Sequence, residues 1–338
     1  MIEIIGQALG ISCLVRTMKE ISVAGTFNRR KFIALSAAGG ATLGTGAMIA
    51  DMALGQFLAK KSASHDMNVK TGGPRMSSGA APISINTVEL VVNDLDRVGD
   101  FYQFVLGLQQ LHHDGETMAL GSSETPLLML RRDRNARRFP SEAGLFHNAF
   151  LMPDRASLGR WLQHAADAGV RLTGAADHDV SEAIYLDDPE GNGIEVYADR
   201  PVDDWITETD GQIKMGSHRL DLDGIISAAN GSWVAAPEDM IIGHVHLQVG
   251  DVKQLHQFMT NKLGQDLTLF EGSAAFYSSG GYHHHFAGNV WRSQGAGKRS
   301  HNSTGLRQVT LSSDGSVGTP FASTDPWGTR FVIETRDV

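Results

Sequence analysis

The chain has 14 histidines, several in short runs, against a single cysteine, Cys13. His244 and His246 stand two apart in the apolar run Ile241-Ile242-Gly243-His244-Val245-His246-Leu247, so on a strand both face the same side. Further on, Tyr282-His283-His284-His285 puts His283 and His285 on one face and His284 on the other. Imidazoles that converge with a carboxylate form a donor set able to hold a divalent ion and leave positions open for substrate. Neutral imidazole also takes up and returns a proton near neutral pH. One cysteine is too few for a disulfide framework or a thiolate metal site. The formal net charge of -9 argues against nucleic acid as a partner.

A repeated pattern positions these residues. Thr87, Val92, Asp94, Phe101, Leu106 and Gly107 overlay His244, Val249, Asp251, Phe258, Leu263 and Gly264 without a gap. Each copy reads as a strand, an Asp-led turn, a short amphipathic helix and a Leu-Gly exit. From residue 83 the spacing predicts four strand–helix–three-strand units. The first has a strand over 85–92, a helix over 95–106 and strands at 118–120 and 127–130. The second opens at Phe146-His147-Asn148-Ala149-Phe150, has a helix over 156–168, and closes with a strand over 194–197 after the turn Asp188-Pro189-Glu190-Gly191-Asn192-Gly193. The third runs from Ile241 to about Trp291. The fourth opens over 306–311 and closes over 331–334, with Ser312 to Thr319 where a helix would stand. Seven residues before each turn Asp the four units carry Thr87, His147, His244 and Arg307, and Glu195 lies on the last strand of the second.

The expected class is α+β: four βαβββ units paired into two domains, 83–200 and 240–338. A polar connector over 201–239, with Trp205 and Trp233, wraps a domain surface. Apolar content of 41% and charge of 20% are ordinary for a chain with a sizeable core. Ahead of this lies a segment of another kind. Asn28-Arg29-Arg30-Lys31-Phe32-Ile33 precedes an uncharged run from Ala34 to Ala50 and resembles a twin-arginine export signal. Residues 1–59 are read as that signal region, Ala53-Leu54-Gly55 as its cleavage site, and 60–82, rich in Ser, Gly and Lys, as a linker. The expected location is then exported or periplasmic. The alternative is an ordinary helix, which Gly39, Gly40, Gly44 and Gly46 disfavour in water, and a cytoplasmic protein.

Four stretches make a more specific resemblance. They are His178-Asp179-Val180-Ser181-Glu182-Ala183, the run from Asp188 to Pro201, the run from Ile241 to Leu247, and Gly280-Gly281-Tyr282-His283-His284-His285. With the paired units, they are similar to the vicinal-oxygen-chelate superfamily and, within it, to bacterial two-domain catechol 2,3-dioxygenases. The resemblance implies two vicinal-oxygen-chelate domains and a non-haem Fe(II) ion, or Mn(II) in its place. It also implies extradiol opening of a small aromatic diol by O2, to a 2-hydroxymuconic semialdehyde-type product. A homo-oligomer is common on this scaffold.

In the wider extradiol family one histidine ligand comes from the opening strand of the fourth unit, where this chain has Arg307. The expected ligands are therefore His244, His285 and Glu334, although aligning Asp325-Pro326 with Asp188-Pro189 puts Val332 opposite Glu195. His147 and Glu195 read as a half-site, or as a structural hydrogen bond between strands. His246 and His283 are the acid–base candidates, Tyr282 a hydrogen-bond partner for the oxyanion, and Phe276, Phe286 and Trp291 the ring walls. The same scaffold also serves metal-dependent isomerases, glyoxalase-like lyases and epoxide-opening transferases, and metal-free modules that bind drugs or aromatic compounds.

Overall fold

The computed structural model describes residues 75–316 and 321–336. The first unit comprises β1 (Ile83–Val92), α1 (Leu95–Leu106), β2 (Gln109–His113), β3 (Thr117–Gly121) and β4 (Pro126–Arg132). The second comprises β5 (Gly144–Met152), α2 (Arg155–Asp167), β6 (Leu172–Asp177), β7 (Ser181–Asp187) and β8 (Gly193–Asp199). After α3 (Leu222–Ala228) the third has β9 (Ile241–Gln248), α4 (Val252–Asn261), β10 (Asp266–Phe270), β11 (Ala274–Ser278) and β12 (Phe286–Asn289). The fourth has β13 (Gly305–Ser313), β14 (Phe321–Thr324) and β15 (Arg330–Thr335), with no helix among its described residues.

The Asp-led turns do the local work that the repeat implies. Asp94, Asp154 and Asp251 are N-caps, their carboxylates accepting from the backbone N–H of Arg97, Ser157 and Gln254 at 3.2, 2.6 and 2.7 Å. A cap of this kind satisfies one of the donors that a helix start leaves free, worth about 1 kcal/mol. Each helix then buries its apolar stripe on its sheet through residues such as Leu95, Val98 and Tyr102, Leu158, Trp161 and Leu162, or Leu255 and Met259. In the hairpin turn Asp188 accepts from the N–H groups of Glu190 and Asn192 at 2.8 and 2.9 Å and from Asn192 Nδ2 at 2.7 Å. That turn fixes how β8 leaves β7.

The units pair in a nested order. One sheet of eight strands runs β10-β11-β12-β9-β5-β8-β7-β6, and one of seven runs β14-β15-β13-β1-β4-β3-β2. The second unit therefore joins the third through antiparallel β5 and β9, and the first joins the fourth through antiparallel β1 and β13. Four units in two paired sheets match the expected architecture. The boundaries expected at 83–200 and 240–338 do not describe how they pair, because each sheet takes one unit from either side of the connector. The physical reason is that the free opening-strand edge of each unit seeks an antiparallel partner, and sequence adjacency does not choose it.

The connector is ordered. Arg155 Nη1 donates to the Gly224 carbonyl on α3 at 3.0 Å, and Trp205 is buried with Val180, Ile213 and Tyr282. The end of the expected linker is docked too. Met76 N–H donates to the Gly280 carbonyl at 3.0 Å, Ser78 Oγ to that of Gly243 at 3.1 Å, and Arg75 to that of Trp205. The expected export signal lies outside the described residues. No helix of the described residues is long and apolar enough to cross a membrane.

Candidate metal centre

The nested pairing brings three ligand-type side chains together. His147 on β5, His244 on β9 and Glu195 on β8 offer donor atoms that lie within 4.8 Å of one another, and all three are buried. His147 Nε2 and His244 Nε2 stand 3.0 and 3.2 Å from Glu195 Oε2. Register explains the convergence: on β5, Ala149 sits opposite both Glu195 of β8 and His244 of β9. The two residues that looked like half a site are thus completed by His244 from the neighbouring unit.

The set fits a divalent ion. Donors bonded to a metal at about 2.1 Å and at right angles lie about 3 Å apart, close to the separations here. A buried carboxylate needs compensation, and among the described residues the two imidazoles are the ion-pair partners of Glu195. Burial works to raise the Glu195 carboxyl, but His244 and His147 outweigh it and hold it well below the usual carboxylate range. Burial also takes His244 down to about 4, against the pull of Glu195, so that imidazole is neutral, the form that ligates. His244 Nδ1 is buried without a partner.

The cluster lies in the wall of a cavity of about 300 Å³, which also includes His178, Tyr185, His246, Phe276, His284 and Trp291. Phe146 packs 4.8 Å from the His246 ring and 5.3 Å from Trp291, forming with them an aromatic wall. Hydrogen bonds assign the imidazole tautomers. Asn289 Oδ1 accepts from Trp291 N–H at 3.1 Å, so its Nδ2 donates to His246 Nε2 at 2.9 Å, leaving the His246 proton on Nδ1. The Gly216 carbonyl, 2.7 Å from His178 Nδ1, keeps that proton on Nδ1, so the Tyr185 hydroxyl donates to His178 Nε2 at 2.7 Å. Burial, then the nearby Glu195 charge, raises Tyr185 well above its usual value, so it stays a phenol.

Several expected positions lie elsewhere. Glu334 is exposed on β15, paired with Ser312 in the seven-stranded sheet, and cannot meet His244. Arg307 lies in that sheet as well, 3.4 Å from Glu89, so its presence leaves the histidine cluster intact. His285 is buried outside the cavity wall, its Nε2 directed at the Ser78 carbonyl at 3.2 Å and its Nδ1 accepting from Ser279 N–H at 3.3 Å. His283 is fully buried against Asp199, and the Tyr282 hydroxyl meets Tyr197 and Asp199, neither lining the cavity. Phe286 packs on Phe331 and is no part of the cavity wall.

The histidine that does reach the cavity is His284, whose ring centre is 4.2 Å from that of His244. Continuing the alternation of β12 backwards from Asn289 and Ala287 would have sent His285 and His283 there. Gly280 and Gly281, at φ of 65° and 71°, and bends at His283 and His285 break that alternation. Sequence reasoning also missed Tyr185. A hairpin centred on Glu190 pairs it with Glu195, a register the turn already contained.

Comparison with known proteins agrees with this architecture. Residues 84–196 match the family described as Glyoxalase/Bleomycin resistance protein/Dioxygenase superfamily. The catechol-2,3-dioxygenase of Bacillus subtilis (strain 168) is 39% identical over 233 residues, covering 67% of this chain and 81% of that protein. A crystal structure from Bacillus subtilis subsp. subtilis str. 168, of a protein proposed to be a dioxygenase, superposes with a TM-score of 0.50 at 12% identity. It covers 78% of this chain and 86% of its own, a likeness of fold. With its paired units and a relative this similar over most of both chains, the protein belongs to the Glyoxalase/Bleomycin resistance protein/Dioxygenase superfamily.

Proposed function

We propose that this protein is a non-haem Fe(II)-dependent extradiol dioxygenase, which opens a catechol with O2 to a 2-hydroxymuconic semialdehyde-type product. The observation that carries the reading is the buried His147–Glu195–His244 cluster in the wall of an aromatic-lined cavity. A relative named for the same reaction supports it. Glu195 and the two imidazoles would hold the ion through Oε2 and the two Nε2 atoms. When bound, Fe(II) supplies a coordination point for both catechol oxygens and an electron route from the diol to O2.

The chain's own groups do the rest. Phe146, Phe276 and Trp291 offer apolar faces to the ring and exclude water from it. His284, beside His244, takes a hydroxyl proton from the diol and later returns it to the product. His246 serves as a donor through Nδ1–H, since Asn289 occupies its Nε2. Tyr185, a phenol beside Glu195, donates its hydroxyl proton to His178 Nε2 and so holds that imidazole in place in the cavity wall. The carbon–carbon bond next to a hydroxyl breaks, both atoms of O2 enter the product, and the diol supplies the electrons, so no further reductant is needed.

The test is oxygen uptake with catechol after anaerobic loading with Fe(II), together with metal analysis of the wild type and Glu195→Ala. Uptake with a yellow product, lost with the ion in the variant, is the expected result. Tight iron binding with no uptake on any catechol would sink the reading, and binding of aromatic compounds without iron would favour a sequestering module. Export through Arg29 and Arg30 belongs to the same proposal. Arg29→Lys with Arg30→Lys should retain the protein in the cytoplasm, and unchanged export would refute it.

A further inference from the structure

His284 does not stand alone. Its Nδ1 is 2.7 Å from His283 Nδ1, and His283 Nε2 is 2.9 Å from Asp199 Oδ1. His283 is wholly enclosed, whereas the Asp199 side chain is 18% exposed. The same carboxylate oxygen accepts from the Tyr282 hydroxyl at 3.2 Å. With that proton directed to Asp199, the Tyr282 oxygen accepts from the Tyr197 hydroxyl at 2.8 Å. Gly243 makes room for this arrangement, since a Cβ there would lie 1.8 Å from the Tyr197 hydroxyl.

Counting protons along the chain leaves one neutral arrangement. A carboxylate only accepts, so His283 carries its proton on Nε2 and presents a lone pair at Nδ1. Of two nitrogens at hydrogen-bonding distance one must donate, so His284 carries its proton on Nδ1. Its Nε2 is then the unprotonated nitrogen. We propose that Asp199 and His283 are positioning residues that hold His284, a residue of the cavity wall, in this Nδ1–H tautomer, ready to accept a substrate proton at Nε2. The inference rests on the dioxygenase reading for its catalytic meaning and on the hydrogen-bond chain for its structural one.

The arrangement also provides for the charge that proton transfer creates. A proton bound at His284 Nε2 lets the Nδ1 proton pass to His283 Nδ1, and the positive charge then rests beside Asp199. It does not remain on the ring that packs against His244. No electron moves, and the reverse shift restores both imidazoles. His246 has the opposite office: its Nε2 lone pair is engaged by Asn289, so two histidines of one wall differ in which partner they offer a substrate.

The test has two readouts. Nitrogen-15 NMR of the histidine rings, on the protein as purified and after Zn(II) loading, reports tautomers without any turnover, with His284→Gln assigning the signal. His284 should be in the Nδ1–H form in the wild type and lose that preference in His283→Leu. His283→Gln, whose amide oxygen can still accept from Nδ1–H, should keep it. In steady-state oxygen uptake, His283→Leu should lower kcat by roughly 10²-fold with KM and iron content little changed. His283→Gln should recover most of that loss, and Asp199→Ala, the second variant should His283→Leu fail to fold, should lower kcat and loosen the tautomer in the same direction, since it removes the acceptor that holds His283 Nε2–H. An Nε2–H His284 in the wild type, or equal losses in His283→Gln and His283→Leu, would overturn the proposal. A wild type without oxygen uptake but with the expected tautomer would instead overturn the dioxygenase reading and leave the positioning pair standing.

Discussion

In the eight-stranded sheet the two opening strands at its centre carry His147 and His244, and Glu195 lies opposite Ala149. In the seven-stranded sheet the matching positions hold Thr87 and Arg307, and Met129 lies opposite Glu89. There the Thr87 hydroxyl donates to the Pro126 carbonyl at 2.9 Å, and Glu89 pairs with Arg131 at 2.6 Å on a half-open face. The backbone plan is shared, so the plan alone does not make a candidate metal site. Donor type and enclosure make it: in one sheet a carboxylate is sealed in with imidazoles, and in the other it is left to arginines and water.

The largest effects should separate the sheets cleanly. His147→Ala, His244→Ala or Glu195→Ala should remove bound iron and oxygen uptake down to background, whereas Thr87→Ala and Arg307→Ala, both in the other sheet, should leave both within about twofold. Metal analysis with oxygen electrode traces on all five variants checks it. Tyr185→Phe should keep the iron and slow turnover by roughly tenfold, the cost of losing a group that orients a neighbouring side chain of the cavity wall.

Acid should then act through the eight-stranded sheet. Burial takes His285 down to about 3 from its usual 6.5. The unfolded chain therefore binds a proton that the folded chain refuses, and the stability present above pH 6.5 is lost as pH falls towards 3. The slope is roughly 1.4 kcal/mol per pH unit for one group. His285→Gln should remove about 2 kcal/mol of the difference between urea unfolding at pH 7.5 and at pH 5. The smallest contrast lies in the ion pairs. Glu182, buried and 2.6 Å from Arg155 Nε, should cost roughly 1–2 kcal/mol when changed to alanine, screened as its arginines are. Glu89→Ala should cost about 0.5 kcal/mol or less in the same thermal melts.

What could be read from the sequence was whatever the chain decides over a few residues. The caps Asp94, Asp154 and Asp251, the helices that follow them and the Asp188–Gly193 turn are all local, and their periodicity places His147 and Glu195 on neighbouring strands of one unit and His244 on the opening strand of another. The partnership between units is decided across roughly ninety residues or more by edges that look alike, so the sequence leaves His147 and Glu195 without a third ligand. The triplet His283–His285 failed for a different reason. Strand alternation holds only while the chain stays extended, and two left-handed glycines upstream with bends inside the triplet exchange inward and outward.

The nested pairing of units has a consequence for how the molecule comes into being. A nascent chain that has emerged as far as Asp199 already owns two of the three donors, yet holds no ion-binding triplet until β9 arrives beyond the connector. The outer sheet waits longer still, since β1 gains its neighbour only once β13 has followed β9 out. Iron capture would thus mark the closing of the inner pair, while the outer pair remains an unfinished bracket around it.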